Sequence, residues 1–540
     1  MRKLMLAATA ALFATQSAAQ TVAPPKLLVV ISVDQFSANL FDEYRPHWTG
    51  GLARLSTGTV FHNGYQSHAA TETCPGHSTL LTGDHPARTG IISNAWIDQK
   101  VGRSDISVYC AEDEGVPGTS STAYKVSPRH LLVPTLGELM KKRWPASRSV
   151  AVAGKDRAAI MMGGHTPDQR WYWTGTRFQT DLAGAAVPTV VPKVNAAVTA
   201  ALAQARGPLE PTPFCQSKAR DVPLEGGAPP VGAGRLARAA GDANAFRASP
   251  EIDGDTLALA AGLVDELKLG RGSDPDLLAI SLSATDYVGH SYGTEGEEMC
   301  LQLTELDREL GDFLKVLDAR GVNYAVTLAA DHGGKDVPER ERLAGVTDAA
   351  RMNPSLAPSE MAKALVAKLG LSGPGLLGSS PQGDIYLDAH LKPRDRTRLL
   401  NAAVAAYKAD PQVAAVFTAM QIARVPVPTG NPVNWSLIQR ARASFYAPRS
   451  GDFVVFLKKD ITPIAKTGRG YVSTHGSPYD YDRRVPILFW RPGIAGTTVE
   501  RPAETTDIMP TLASMIGLAV QPGSVDGHCL PEPAGAACKH

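Results

Sequence analysis

The chain of 540 residues is 44% hydrophobic and 20% charged, so it has enough apolar side chains for a large core and is not intrinsically disordered. Its formal net charge is +1, and no run of like charge marks a face for binding nucleic acid or anionic membranes. The length fits one large domain with insertions or two domains, and a small soluble molecule is the expected partner.

The amino terminus has the three parts of a secretory signal peptide. Arg2 and Lys3 precede the apolar residues 4–14, and small residues follow up to Ala19. This pattern predicts a signal peptide over residues 1–19. A membrane anchor is disfavoured, because the stretch is too short to span and no other segment has about 20 apolar residues. We therefore expect a periplasmic or secreted protein whose oligomeric state stays open, with a monomer favoured.

Five continuous runs of β-branched residues and leucine predict strands that are covered on both faces of a parallel sheet. They are residues 26–33, 149–153, 277–283, 324–330 and 485–490. Apolar residues at helical spacing between 303 and 317, and a second segment at 256–269, predict helices between strands. The alternation predicts an α/β sandwich with a mostly parallel central sheet flanked by helices, with ligands at the carboxyl ends of its strands.

Two segments interrupt the alternation of strands and helices. They are residues 166–250, rich in Pro, Gly and Ala, and residues 344–466, which contain strand-like runs at 384–387 and 453–457. Candidate site residues lie on both sides of each segment. We therefore predict a single catalytic domain over residues 20–540 with two cap insertions near the site.

Polar residues that can bind metal follow several of the predicted strands. Asp34 ends the first strand, and the adjacent Asp331 and His332 end the fourth. Asp286 and His290 are four residues apart, a spacing that puts both on one side of a helical turn. In isolation that pair would be a helix cap and a surface histidine.

Taken together with His475, these residues predict a site for two divalent metals, because separate segments supply ligands at one sheet edge. The mixture of aspartate and histidine favours zinc over magnesium or calcium, while manganese and cobalt stay open. A pair of metals also suits an in-line displacement, in which one cation activates the nucleophile and the other stabilises the leaving oxygen.

Thr73 is the candidate nucleophile. Pro75 fits the first turn of a helix, which places Thr73 at the amino end, where free N–H groups and the helix dipole stabilise negative charge. A nearby cation would further favour the alkoxide. Without the metal ligands, a simple helix cap would be the better interpretation.

Together these motifs resemble the threonine-nucleophile branch of the alkaline phosphatase superfamily, notably the phosphate-irrepressible bacterial alkaline phosphatases. The resemblance covers most of the mature chain. It is carried by Asp34, the block at 73–77, Asn94, Asp286-x-x-x-His290, Asp331-His332-Gly333 and Thr474-His475-Gly476.

The resemblance implies a fold, a cofactor and a role for each residue. Asp286, His290 and His475 would bind one zinc ion, and Asp34, Asp331 and His332 the other, with Thr73 contacting the second. Thr73 would form a phosphothreonine intermediate. Asn94 would donate its amide to a phosphate oxygen, although by spacing alone it would be a turn residue.

Lys155 and Arg157 bear on the choice of substrate. Superfamily members that act on monoesters resemble this chain in having a Lys-x-Arg element, whose cations meet the extra charge of a terminal phosphate. This favours a broadly specific, zinc-dependent phosphomonoesterase. The alternative is a nucleotide pyrophosphatase or phosphodiesterase that uses the same metals with a different cap pocket.

The six cysteines are candidates for disulfides in an exported protein, and six allow fifteen connectivities. The tail pair Cys529–Cys538 is favoured, and local order suggests Cys74–Cys110 and Cys215–Cys300. Cys74 lacks the Cys-x-Pro-x-Arg context of the modified cysteine of sulfatases, so a disulfide or structural role is expected. His77 is expected to pack or to form hydrogen bonds rather than to bind metal.

Overall fold

The structure is a computed structural model that describes residues 23–535 and 538. The predicted signal peptide, residues 1–19, lies outside the described residues. Among the described helices, none is long and apolar enough to cross a membrane.

Eighteen strands form one large sheet and three small ones. The strands are β1 Leu27–Val33, β2 Thr59–Tyr65, β3 Ala95–Ile97, β4 Ser107–Tyr109, β5 Ser149–Ala153, β6 Gln169–Trp173, β7 Phe178–Gln179, β8 Asp276–Leu282, β9 Tyr324–Ala329, β10 Ala350–Arg351, β11 Leu376–Leu377, β12 Gly383–Leu387, β13 Val413–Thr418, β14 Phe453–Leu457, β15 Ile461–Thr462, β16 Arg484–Trp490, β17 Thr498–Val499 and β18 Ala503–Glu504.

The helices connect these strands and cover the large sheet. They are α1 Ala38–Tyr44, α2 Gly51–Leu55, α3 Thr73–Thr82, α4 Pro86–Thr89, α5 Leu136–Arg143, α6 Asp156–Gly163, α7 Val190–Leu202, α8 Pro213–Ser217, α9 Ala243–Arg247, α10 Glu251–Glu266, α11 Ala284–Tyr292, α12 Glu297–Ala319, α13 Pro338–Leu343, α14 Pro358–Leu369, α15 Pro393–Ala409, α16 Ala419–Ala423, α17 Leu437–Ser444, α18 Asp480–Arg483, α19 Ile508–Met515 and α20 Pro531–Ala534.

The large sheet has the order β17-β2-β16-β9-β1-β8-β5-β6-β7, with β18 also paired to β2. Its centre is parallel: β1 pairs with β8 and β9, and β5 pairs with β8 and β6. Strand β16 is antiparallel to β9 and β2. The predicted α/β sandwich with a mostly parallel sheet is therefore confirmed.

Both faces of the sheet are buried, as the aliphatic runs require. Along β1, Leu27, Val29 and Ile31 belong to the core cluster beneath α10 and α12, whereas Leu28 and Val30 belong to the cluster beneath α3 and α19. A strand with a core on each side needs apolar residues at every position. The three-layer arrangement brings the carboxyl ends of the parallel strands to a common edge.

The five predicted strands are all present, within one residue at their ends. Two boundaries differ from the predictions. Helix α10 begins at Glu251 rather than at 256. The segment 166–250 begins with β6 and β7, which extend the large sheet, so its first part belongs to the central layer.

The segment 344–466 builds a second sheet with the antiparallel order β11-β12-β14-β13. Helices α14 and α15 pack against it, and its core includes Leu365, Tyr407 and Phe453. It contacts the main part through Ser444, whose hydroxyl accepts hydrogen bonds from the N–H groups of Ala69 and Ala70. This segment lies beside the loop that leads into α3, and its function as a cap stays a prediction.

The three suggested cysteine pairings are confirmed, since the structure contains Cys74–Cys110, Cys215–Cys300 and Cys529–Cys538. The first pair ties α3 to the segment after β4, the second ties α8 to α12, and the third closes the tail.

Candidate active site

Four neighbouring strands deliver the candidate residues to one edge of the sheet. Val33, the last residue of β1, is in register with Leu282, and the N–H of Asp34 donates to the carbonyl of Leu282. Strand β8 leads into α11, which carries Asp286 and His290. Strands β9 and β5 lead into residues 331–332 and 155–157. The parallel register therefore brings distant parts of the chain together.

We name Asp34, Asp331 and His332 the inner group, whose potential ligand atoms lie within 4.8 Å of one another. Nε2 of His332 is 3.4 Å from Asp34 Oδ1 and 3.3 Å from Asp331 Oδ2. All three side chains are fully buried. Oδ1 of Asp331 accepts hydrogen bonds from the N–H groups of Gln35 and His332, which fixes the carboxylate.

We name Asp286, His290 and His475 the outer group, whose potential ligand atoms also lie within 4.8 Å of one another. Oδ1 of Asp286 is 3.3 Å from Nε2 of each histidine. The side chain of His290 is 17% exposed, whereas that of Asp286 is buried. The ring of His475 stacks on that of His332, with centroids 3.6 Å apart, so the two groups are adjacent.

Each of the three histidines places Nδ1 next to a backbone carbonyl. The acceptors are Ser473 for His290, Thr71 for His475 and Gly333 for His332, at 2.8 to 2.9 Å. Donation from Nδ1 leaves the lone pair on Nε2, the nitrogen that faces the carboxylates in each case. This is the tautomer that a metal ligand requires.

Electrostatics also favour neutral histidine at two of these positions. Burial lowers the pKa of His290 to about 4 and that of His332 to about 3. Burial and the neighbouring Asp331 charge raise the pKa of Asp34. Burial opposes the charged form of Asp286, but His290 and Lys155 lower its pKa overall. Cations stabilise carboxylates that are buried this close together, and neutral imidazoles can share in binding them.

The residues of both groups fit a pair of metal ions. Buried atoms without a hydrogen bond include Asp34 Oδ1, Asp286 Oδ1 and His332 Nε2, and an uncompensated buried polar atom is costly. Each group offers nitrogen and oxygen donors, as zinc prefers. The sequence placed the same six residues in the same two groups, and the structure brings them together.

Thr73 is the first residue of α3, and its side chain is fully buried beside the inner group. The helix approaches the end of β9 closely: a Cβ at Gly76 would lie 1.9 Å from the carbonyl oxygen of Asp331, so only glycine fits there. His77 Nδ1 lies 2.9 Å from the carbonyl of Thr73 and 3.0 Å from Asp331 Oδ2. His77 thus packs and forms hydrogen bonds, as the sequence predicted.

Asn94 lies beside the amino end of α3. Its Oδ1 accepts a hydrogen bond of 2.8 Å from the N–H of Cys74, and this orients the amide nitrogen to donate elsewhere. Glu72 Oε2 accepts from the N–H of Asn94 and from the hydroxyl of Ser93. The disulfide to Cys110 supports the same region, because the N–H of Cys110 donates to the carbonyl of Asn94.

Lys155 and Arg157 contact different parts of the site. Nζ of Lys155 donates to Asp34 Oδ2 at 2.6 Å and to Asp286 Oδ2 at 2.5 Å, so it bridges the inner and outer groups. Burial disfavours its charge, but the two carboxylates raise its pKa overall. Nη2 of Arg157 is 3.3 Å from Thr73 Oγ1. The structure therefore places two cations next to the candidate nucleophile and ligands.

Sequence reasoning missed two residues of the site. Glu72, which holds Asn94, is adjacent to the candidate nucleophile, but a glutamate before a helix carries no distinctive signal. Tyr287 lies between the predicted ligands Asp286 and His290, and Lys155 Nζ is 4.9 Å from the centre of its ring. An aromatic residue inside a ligand motif was the available indication.

The chain was compared with families, curated proteins and solved structures. A family model described as type I phosphodiesterase / nucleotide pyrophosphatase matches residues 28–478. Alkaline phosphatase PhoK of Sphingomonas sp. is 50% identical over 515 residues, which cover 95% of this chain and 92% of PhoK. Alkaline phosphatase PhoD of Zymomonas mobilis is 48% identical over 509 residues, which cover 94% of this chain and 88% of PhoD.

The crystal structure of wild-type alkaline phosphatase PafA superposes with a TM-score of 0.81 at 26% identity, covering 95% of this chain and all of PafA. The match to the family model spans most of the chain and includes every candidate ligand. The chain therefore belongs to the type I phosphodiesterase / nucleotide pyrophosphatase family, within the alkaline phosphatase superfamily.

Proposed function

We propose that the protein is an alkaline phosphatase of broad specificity. It would hydrolyse phosphate monoesters through a phosphothreonine intermediate at a two-zinc site. The main observation is the position of two cations. Arg157 lies 3.3 Å from Thr73 Oγ1, and Lys155 contacts both ligand groups. A terminal phosphate carries one more negative charge than a diester and gains more from such cations. The names of PhoK, PhoD and PafA support the same activity.

The inner group, with Thr73, would hold one zinc ion, and the outer group would hold the other. When bound, the two ions would supply Lewis acidity that favours the alkoxide of Thr73 and stabilises the charge on the leaving oxygen. Because the inner group adjoins α3, it is the one that would activate the nucleophile. The metal at the outer group would then stabilise the oxygen of the departing alcohol.

The reaction would proceed in two displacements at phosphorus. The hydroxyl of Thr73 loses its proton to solvent, and its Oγ forms a bond to phosphorus as the bond to the alcohol oxygen breaks. The alcohol leaves with a proton from solvent. Water then attacks the phosphothreonine, releasing phosphate and regenerating the threonine hydroxyl. Arg157 and the amide of Asn94 orient the phosphate oxygens, and the amino end of α3 stabilises their charge.

A substitution series at Thr73 tests this mechanism. Thr73→Ala removes the nucleophile and should lower kcat/KM for 4-nitrophenyl phosphate on the order of 10⁴-fold or more, whereas Thr73→Ser should retain measurable turnover. Acid quenching followed by peptide mass spectrometry should find phosphate on residue 73 of the wild type and of the serine variant. Unchanged turnover in Thr73→Ala would contradict the proposal.

A phosphodiesterase or nucleotide pyrophosphatase is the second candidate, because the matching family model carries that description. The ratio of kcat/KM for 4-nitrophenyl phosphate to that for bis-4-nitrophenyl phosphate separates the two. The proposed function predicts a strong preference for the monoester. A preference for the diester would assign the second function and leave Lys155 and Arg157 with a structural role.

We further propose that the protein is exported, to the periplasm or the medium. Three disulfides support this, since such bonds persist mainly in oxidising compartments. Comparison of the intact mass of protein recovered from the periplasm or medium with that of the full chain tests the predicted cleavage near Ala19.

A further inference from the structure

One cleft opens directly onto the outer group. It has a volume of about 600 Å³, and its walls include the candidate ligand His290 and the half-exposed Tyr471, whose ring centre is 5.2 Å from that of His290. We name it the arginine cleft because Arg247 and Arg469 also line it. Since the outer group is the one left for the leaving oxygen, the alcohol part of a substrate would extend into this space.

The two arginines are exposed, and neither forms a salt bridge within the described part of the chain. Among the described residues of the cleft wall, the only carboxylate is that of Asp242, which caps α9 by accepting a hydrogen bond from the N–H of Ala245. An arginine without a carboxylate partner keeps its donors available for an anionic ligand. With two arginines and one aspartate, the described wall of the cleft therefore carries a net positive charge.

Arg247 is held in place by its neighbours. The side chain of Phe246 is fully buried and stacks on Trp173, with ring centres 5.3 Å apart, which anchors α9. The guanidinium of Arg247 lies 4.8 Å from the centre of the Tyr287 ring, the same ring that Lys155 Nζ approaches at 4.9 Å. Tyr287 thus connects Arg247 to the lysine that bridges the two ligand groups.

A different cleft, beside Glu72, has the opposite character. It has a volume of about 100 Å³, its walls include Glu72, Asp384 and Trp96, and no lysine, arginine or histidine of the described residues lines it. It would favour a cationic or neutral aromatic group. The charge that a substrate prefers therefore reports which cleft its alcohol part occupies.

We propose that the arginine cleft binds the alcohol part of the monoester, and that Arg247 and Arg469 favour alcohols bearing a second anionic group, a phosphate or a carboxylate. This inference rests on the proposed phosphomonoesterase function. It assigns a preference within a broad specificity: the reacting phosphate is held by the metal groups, Arg157 and Asn94, and the second anion is held by the two arginines.

A series of phenyl phosphates that differ only in the charge of the para substituent tests the proposal. The substituents are a carboxylate, a neutral carboxamide and a quaternary ammonium, and kcat and KM are measured with the zinc-loaded full-length mature protein. The wild type should turn over the carboxylate about fivefold or more better in kcat/KM than the ammonium compound, mainly through KM, as expected for partly exposed ion pairs.

The variants isolate the two arginines. In Arg247→Ala/Arg469→Ala, the ratio of kcat/KM for the carboxylate to that for the carboxamide should fall about fivefold, and Arg247→Lys should restore part of it. Arg424→Ala removes an exposed arginine at the end of α16 that does not line the arginine cleft, and it should leave the ratio unchanged. Arg247→Lys, the conservative variant, and Arg424→Ala, the control variant, guard against an effect on folding alone.

The failures are distinguishable. Turnover of all three compounds with no charge preference, or with a ratio that the double alanine variant does not change, would overturn this inference alone. A preference for the ammonium compound would assign the alcohol to the cleft lined by Glu72 and Asp384, and would also overturn it. No turnover of any compound by the zinc-loaded wild type would overturn the proposed function and this inference with it.

Discussion

The inner and outer groups both combine aspartate with histidine, but the inner group has two aspartates, the outer group has two histidines, and their surroundings differ. The inner side chains are fully buried, while the His290 side chain of the outer group is 17% exposed and faces the arginine cleft. The inner ligands follow directly from the ends of β1 and β9. The outer ligands come from α11 and from a loop that approaches it.

This difference suggests a division of work between the groups. A rigid, dry position next to α3 suits activation of a nucleophile, because fixed charges act strongly where water is excluded. A partly exposed position suits the leaving oxygen and the exchange of product. We therefore expect substitutions of the inner group to be more damaging, and less easily rescued by added metal, than substitutions of the outer group.

Among the substitutions that compare the two groups, the largest effect is expected at the inner group. Asp331→Asn replaces a carboxylate that is in contact with both His332 and His77, and should lower kcat/KM for 4-nitrophenyl phosphate on the order of 10³-fold, since a bound metal supplies several kcal/mol of charge stabilisation. Excess zinc should not restore it. Asp348→Asn, at an exposed aspartate, is the matched control. Activity within tenfold of the wild type would place the metal chemistry elsewhere.

The next effect concerns the pair of cations between the groups. Lys155→Ala/Arg157→Ala should lower kcat/KM for the monoester about 100-fold, and that for bis-4-nitrophenyl phosphate much less, because the diester carries less charge. Steady-state kinetics on both substrates measures the change in ratio. Equal losses on the two substrates would show that these residues only position the ligands Asp34 and Asp286.

A smaller effect is expected at the outer group. His290→Ala leaves Asp286 and His475 in place, so kcat/KM should fall about 10- to 100-fold at equimolar zinc and recover several-fold as zinc is raised. A zinc titration of activity gives the apparent affinity. His390→Ala, at an exposed histidine, should behave as the wild type. If His290→Ala and Asp331→Asn responded alike to zinc, the distinction between the groups would be wrong.

The smallest effect on catalysis is expected from the support of Asn94. Cys74→Ser/Cys110→Ser opens a disulfide that spans 36 residues and should lower the free energy of unfolding by about 3 to 4 kcal/mol, while kcat/KM falls only several-fold. Thermal unfolding with and without reductant measures the stability. As the control, the wild type measured with reductant should have the same stability as the variant. An unchanged Tm under oxidising conditions would mean that the pair contributes little.

The sequence predicted the centre of the fold and the position of the inner candidate ligands at the edge of the sheet for a common reason. Continuous aliphatic runs mark central parallel strands, and Asp34, Asp331 and His332 follow such runs directly. Strand β6, which lies next to the edge strand β7, was missed because its sequence, Gln-Arg-Trp-Tyr-Trp, mixes polar and aromatic residues, and burial of Arg170 depends on pairing with Asp181. No local pattern reports such a pairing.

The surroundings of the candidate ligands depend on contacts between residues far apart in the chain. The approach of Arg247 to Tyr287 joins α9 to α11, and the hydrogen bonds of Glu72 to Ser93 and Asn94 join two loops. These contacts follow from the packing of the insertions, which short-range periodicity does not determine. The sequence therefore indicated which candidate ligands lie together, but not the charge of the surrounding clefts.

Zinc stoichiometry tests the central claim most directly. The mature wild type, saturated with zinc, freed of excess by gel filtration and measured by plasma mass spectrometry, should contain two zinc ions per chain. The variant His290→Ala/His475→Ala, with an incomplete outer group, should retain one zinc ion at the inner group. A wild type with one ion or none, or a variant that still binds two, would contradict the assignment of these six residues to two metal positions.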